Sequence, residues 1–179
     1  MRIPHVIAVA VLLTASLAAQ DKATKTAKPK PVTVTLKNAK GENVGTAHLS
    51  SAKGGQGVEI KLNVKNLTPG EHAIHIHQTA KCEPPDFKTA GGHLNPEHKK
   101  HGLDNPEGPH AGDMPNFKVN DKGASRETVT AKGVTFGDGE NSIFANGGTA
   151  LVIHAKSDDM KTDPAGNTGD RVACGVISK

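Results

Sequence analysis

The chain has 179 residues, 35% hydrophobic and only 2% aromatic, with 22 Lys and Arg against 18 Asp and Glu. That length suffices for one domain with its own core. The pI near 9.1 does not signal nucleic-acid binding: setting aside Arg2, Lys22, Lys25, Lys28, Lys30 and Asp21 leaves 17 basic residues facing 17 acidic ones, so the basicity belongs to the tail and the domain is neutral.

In chain order, residues 1–19 read as a secretory signal peptide. Arg2 is a short positive start, Val6 to Leu13 is an unbroken apolar run, and Ser16-Leu17-Ala18-Ala19 offers small residues to a signal peptidase. The run is too short for a stable membrane span, which needs about 20 apolar residues. Residues 20–31 carry four lysines, two prolines and no apolar periodicity, which predicts a disordered Lys/Pro-rich linker. The folded domain is expected over 32–179, exported to the periplasm or the extracellular space. Cys82 and Cys174 are the two cysteines, and an even count behind a secretory leader suggests a disulfide closing a loop of about 90 residues.

From Val32 the pattern is short strands and turns. Strands are expected at 32–36, 44–49 and 58–64, the last alternating most clearly. Thr68-Pro69-Gly70 breaks the chain, and Ala73 to His77 alternates again. Residues 79–116 then lose the rhythm, and a structureless loop of that length belongs in a compact domain only when it is functional. Strands resume near 117–120, 126–130, 142–144 and 150–154. A second long loop, 155–170, precedes the last strand at 171–177. No helix has a convincing apolar face. The fold class is therefore all-β: an antiparallel Greek-key sandwich or flattened barrel of about eight strands with two long functional loops.

The chemistry lies in histidine. His75 and His77 are two apart in an alternating strand, so both imidazoles share one face, expected to be an inner one. His93, His101 and His110 fall in the first long loop, Asp113 follows three residues after His110, and His154 ends an apolar run. Several buried imidazoles together are costly unless a metal satisfies them. His98, between Glu97 and two lysines, reads as solvated; His48 reads as structural or exposed.

The motifs GEHAIHIHQ (70–78), GGHLNPEHKKHG (91–102), GPHAGDMPNF (108–117), LVIHAKSDD (151–159) and GDRVACGVI (169–177) together resemble the copper,zinc superoxide dismutases, in their bacterial secreted type. The resemblance spans about 32–178. It implies a copper held by His75, His77, His93 and His154, a zinc held by His93, His101, His110 and Asp113, and His93 bridging the two. It implies that Asp158 rather than Asp159 links ligands of both metals, that Arg171 stands beside the copper, that His72 is structural, and that Cys82 and Cys174 form the family disulfide. It also implies the reaction: dismutation of superoxide to dioxygen and hydrogen peroxide, with copper changing oxidation state, His93 carrying a proton and Arg171 attracting the anion. One copper and one zinc per chain are then the cofactors and superoxide the substrate. No nucleic acid and no stable membrane insertion are expected, and monomer and homodimer both stay open. The donor chemistry agrees, because imidazole suits redox-active copper while zinc accepts a closed set of three His and one Asp. A non-catalytic periplasmic copper- or zinc-binding protein would need the donors but not Arg171. A zinc-only sandwich would not need His75, His77 and His154 together. Arg171 could instead be an ion-pair partner of Asp170.

Overall fold

The computed structural model describes residues 30–179; the leader and most of the linker lie outside them. Nine strands follow in order: β1 (Val32–Asn38), β2 (Asn43–Ser51), β3 (Val58–Val64), β4 (Gly70–His72), β5 (Ile74–His77), β6 (Phe117–Val119), β7 (Thr128–Ala131), β8 (Thr149–His154) and β9 (Arg171–Ile177). Seven form one antiparallel sheet in the order β5-β8-β9-β1-β2-β3-β7, and β4 pairs with β6. The return of β9 to lie beside β1 is the long connection of a Greek key. The all-β fold stands as expected. Among the described residues no helix is long and apolar enough to cross a membrane.

Alternation builds the core. In β3, Val58, Ile60, Leu62 and Val64 are buried while Lys61 and Asn63 face water. They join Val34, Leu36, Leu49, Ile74, Ile76, Leu151, Ile153 and Ile177 in one cluster, to which β6 adds Phe117 and Val119. Two expectations need correction. Residues 142–144 form no strand: Ser142 makes a single bridge to Thr135, and Ile143 is buried within a turn. The segment expected as one strand from Ala73 is preceded by β4, and the chain changes partner at Ala73, from β6 to β8.

The outer face of the sheet is what the site depends on. Residues paired across antiparallel strands share a face. His75 is opposite Val152, and His77 is opposite Ala150; Val152 in turn is opposite Cys174. Ala150, Val152 and Cys174 pack with Phe87 and Ala90 of the first long loop in a second, smaller cluster, which Cys82 joins. The two histidines therefore point away from the main core, not into it as expected, while Ile74 and Ile76 point inward. Both faces of β5 and β8 are buried because the loop covers the outer one. The disulfide Cys82–Cys174, with Cα atoms 5.6 Å apart, fastens that cover to β9.

Reduction should loosen the cover before it touches the main core. Cys82→Ser with Cys174→Ser is expected to lower stability by about 2–5 kcal/mol in urea unfolding. Unreduced, denatured protein should have no alkylatable thiol and gain two hydrogens in mass on reduction. Two alkylatable thiols in freshly isolated protein would contradict the link.

Candidate metal centre

Six imidazoles converge on the outer face of β5 and β8. His75 and His77 come from β5 and His154 from the end of β8. The first long loop returns beside β5, where Leu94 N–H donates to Ile76 O at 2.8 Å and Ile76 N–H donates to Gly112 O at 3.0 Å. That docking brings His93, His101, His110 and Asp113 to the same place. All seven side chains are buried. Among the described residues, His93 is the one imidazole in ring contact with the other five, with centroids 4.1 to 6.2 Å away.

The unused nitrogens identify what the cluster lacks. One nitrogen of His75, His77 and His154 is already held: His75 Nε2 lies 2.8 Å from Asp158 Oδ2, His77 Nδ1 lies 2.9 Å from Gly91 O, and His154 Nδ1 lies 3.0 Å from Thr168 Oγ1. An imidazole donating from one nitrogen offers a lone pair at the other. Those others are His75 Nδ1, His77 Nε2 and His154 Nε2. His75 Nδ1 and His93 Nε2 are buried with no partner, and His77 Nε2 and His154 Nε2 face only each other, at 3.4 Å. The donor atoms of His75, His77, His93 and His154 lie within 4.8 Å of one another. Four lone pairs aimed at one buried point fit a cation and little else.

A second group lies on the far side of His93. Asp113 Oδ1 is 2.9 Å from His93 Nδ1, 3.1 Å from His101 Nδ1 and 3.3 Å from His110 Nδ1, while His93 Nδ1 and His110 Nδ1 are 3.3 Å apart. Tetrahedral zinc with nitrogen donors at about 2.0–2.1 Å places its donors about 3.3 Å apart, so these four atoms fit that ion. His75, His93, His101 and Asp113 also offer donors within 4.8 Å of one another. His75 spends Nε2 on Asp158 and aims Nδ1 at the first group, so His110 is the better fourth donor. Asp113 is itself fixed by the N–H groups of Gly102 and His110, at 2.9 and 3.0 Å.

Asp158 joins the two groups. It accepts from His75 at 2.8 Å and from His101 Nε2 at 3.0 Å. Asp159, exposed, instead caps its own loop through the N–H groups of Lys161 and Thr162. Gly166 backs the Asp158–His101 pair with φ +65°, and a Cβ there would strike both side chains, so glycine is required. Arg171 faces His154 across β8 and β9. Period two would put it on the face of Ala173, in the core; the bulge that leaves Val172 unpaired turns it to the face of Cys174. Its guanidinium donates to Phe87 O and Gly91 O, each at 2.8 Å. It makes no ion pair with Asp170 among the described residues. An open cleft beside it is lined by Lys40, Lys88 and Asp170, and Lys88 is paired with Asp86 at 2.8 Å.

The sequence singled out all seven donors, Asp158 and Arg171, and the structure brings them together. It missed Thr168, Asn116 and the carbonyls of Phe87 and Gly91. Asn116 clasps the Asp158 backbone from both sides, accepting its N–H at 2.8 Å and donating to its carbonyl at 2.9 Å. Gly91 and Asn116 lie within the motifs at 91–102 and 108–117, but the sequence singled out neither. His98 is exposed as expected, and His48, exposed on β2, lies with Nδ1 2.9 Å from Thr33 Oγ1. His72 is buried with Nδ1 2.7 Å from His154 O and Nε2 2.8 Å from Thr68 O, so it ties β4 to the end of β8.

Known proteins resemble the chain in sequence and fold. The copper/zinc superoxide dismutase family model matches residues 43–177. The chain belongs to that family. A copper-zinc superoxide dismutase of Aquifex aeolicus is 58% identical over 142 residues, covering 78% of this chain and 83% of the relative. One from Caulobacter vibrioides is 40% identical over 151 residues, covering 81% and 84%. The crystal structure of the copper/zinc superoxide dismutase from Brucella abortus overlays with a TM-score of 0.70 at 33% identity, covering 83% of this chain and all of that one. A SOD-like protein from Bacillus subtilis overlays at 0.77 and 35% identity, covering 81% and 97%.

Burial sets the protonation of the metal-free cluster. It depresses His75 and His77, lowers His93 to about 3 and lowers His154 to about 2, helped by neighbouring imidazoles. Burial opposes ionisation of Asp113 and Asp158, but hydrogen bonds from the histidines outweigh it and hold both below the usual range. Burial likewise opposes charge on His101, yet Asp113 and Asp158 on its two nitrogens raise it to about 9. The depressed imidazoles contribute stability that is full above about pH 6.5 and is lost as pH falls toward about 3, because the unfolded chain takes the protons first. His101 works oppositely: its contribution is full below about 6.5 and is lost as pH rises through 9. Four groups outweigh one on the acid side. The melting temperature of chelator-treated protein should therefore drop steadily from pH 6.5 to 4. A flat or rising profile over that range would contradict this account.

Proposed function

We propose that the chain dismutes superoxide, converting two superoxide anions and two protons into dioxygen and hydrogen peroxide. His75, His77, His93 and His154 hold copper; His93, His101, His110 and Asp113 hold zinc. Copper supplies the one-electron chemistry and zinc a fixed charge. The observation that carries this reading is His93, in ring contact with the five other imidazoles of the cluster and offering one nitrogen to each donor group. A fold match alone would not decide the reaction, since function lives in the site.

The side chains divide the remaining work. His93 is the group that can hold and return a proton at Nε2, beside the point where the four lone pairs meet. Asp158 keeps His75 and His101 in fixed orientation through their Nε2–H groups, as carboxylates do for metal-bound histidine. Arg171 meets the substrate. Burial lowers its pKa from the ordinary value, yet a guanidinium stays charged in proteins. Two carbonyls hold its fork still, and among the described residues no carboxylate forms an ion pair with it, Asp86 acting on its charge only from farther off. Because the domain is neutral, attraction of the anion is local, and Arg171 provides it. Lys88 adds little while paired with Asp86 at the surface. Intact Arg171 argues against a protein that only stores metal.

Residues 1–19 act as a signal peptide, 20–31 as a linker and 32–179 as the folded unit, so the protein works in the periplasm or outside the cell. The leader and the Cys82–Cys174 disulfide support that location together.

Superoxide consumption by protein loaded with both metals tests the reading. Arg171→Ala should lower the rate by about tenfold, the scale of one charge-assisted contact, with both metals retained. Arg171→Lys should fall between wild type and Ala, and Arg171→Glu below Ala. The wild-type advantage should shrink with salt, since exposed charges are screened over about 8 Å at physiological ionic strength. His93→Ala should lower turnover further and uncouple the metals. An Arg171→Glu protein as fast as wild type at low salt, with full copper, would overturn the role of Arg171. No turnover by wild type with both metals bound would overturn the function.

A further inference from the structure

One ring in the cluster has no anchor. His75, His77, His101 and His154 each spend their second nitrogen on a carboxylate, a carbonyl or a hydroxyl, and His93 uses both nitrogens inside the site. Among the described residues His110 Nε2 makes no hydrogen bond; the carboxylate facing it is Asp163 of the second long loop, with Oδ1 at 3.9 Å. That same oxygen accepts the backbone N–H of His101 at 2.7 Å. Asp163 is half-exposed.

We propose that Asp163 is a positioning residue for the zinc donors, holding His101 through its backbone and His110 through Nε2–H. Zinc-bound histidines characteristically donate their other ring N–H to a carboxylate. Here the position next to His110 is supplied by the loop that also carries Asp158, so one loop braces both histidines that bind zinc alone. Its neighbours keep it in place: Asn105 Nδ2 donates to His101 O at 2.9 Å and to Lys161 O at 3.1 Å, and Asp104 N–H donates to Met160 O at 3.0 Å. Two of these contacts stitch the two long loops together just before Asp163. The 3.9 Å gap is short enough for a small turn of either side chain to close, and a charge on zinc strengthens the ring N–H as a donor.

This inference rests on zinc being held by His101 and His110, and the experiment separates the two claims. Protein loaded with copper and zinc is mixed with excess chromophoric zinc chelator, and zinc release is timed while bound copper is measured. Asp163→Ala should release zinc about 10–100-fold faster than wild type, the range seen when such an outer carboxylate is removed. Asp163→Asn, which keeps an acceptor for the His101 N–H but no charge for His110, should release at an intermediate rate. Copper content should match wild type in both variants, and the metal-free melting temperature should match it in Asp163→Asn, which keeps the acceptor for the His101 N–H. Asp104→Asn, which removes a nearby charge without touching either histidine, should release zinc at the wild-type rate. Equal release from Asp163→Ala and wild type would overturn the proposal, and so would an Asp163→Asn protein whose metal-free melting temperature falls in step with faster release. Wild-type protein that binds no zinc at all would overturn the reading beneath it instead.

Discussion

Four imidazole nitrogens crowded into one buried place constrain everything else in this protein. His75 Nδ1, His77 Nε2, His93 Nε2 and His154 Nε2 are buried, and their rings' other nitrogens are already committed. Such an arrangement repels itself until a cation fills it. The fold supports it at a cost, and the supports are visible: two long loops covering one face of the sheet, a disulfide fastening the first to β9, and Asp158 fastening the second to both donor groups. Remove the cation and the cluster stays largely neutral, except where His101, between two carboxylates, takes a proton in its place.

The position of this cluster follows from the topology. A sandwich face is ordinarily wet or packed on its partner sheet. Here the outer face of β5, β8 and β9 is roofed by residues 78–116, so polar rings can be buried without entering the apolar core. His75 and His77 alternate with Ile74 and Ile76, and one short strand serves core and site at once. The bulge at Val172 does the same for β9, letting Ala173 face the core while Arg171 reaches the site.

Much of this was legible in the sequence, because strand period and motif spacing are local. The strands at 58–64 and 171–177 read to the residue, and the clustered histidines pointed to a metal, while the full ligand set came from the family motifs. What was not legible depends on contacts between distant segments. Period two shows that His75 and His77 share a face, but not which face is inside; only the pairing with Ala150 and Val152 decides that. The run 142–144 looks like a strand, yet its residues turn to bury Ile143. Asn116 and Asp163 lie 42 and 62 residues from the backbones they hold, and nothing about an isolated Asn or Asp announces such a partner.

The central claim is that one ring, His93, serves two ions at once. Metal content of the mature protein, loaded with copper and zinc together in excess and then freed of loose ions, measures it most directly. The account predicts one copper and one zinc per chain. Zinc alone, or copper in place of both, would contradict it.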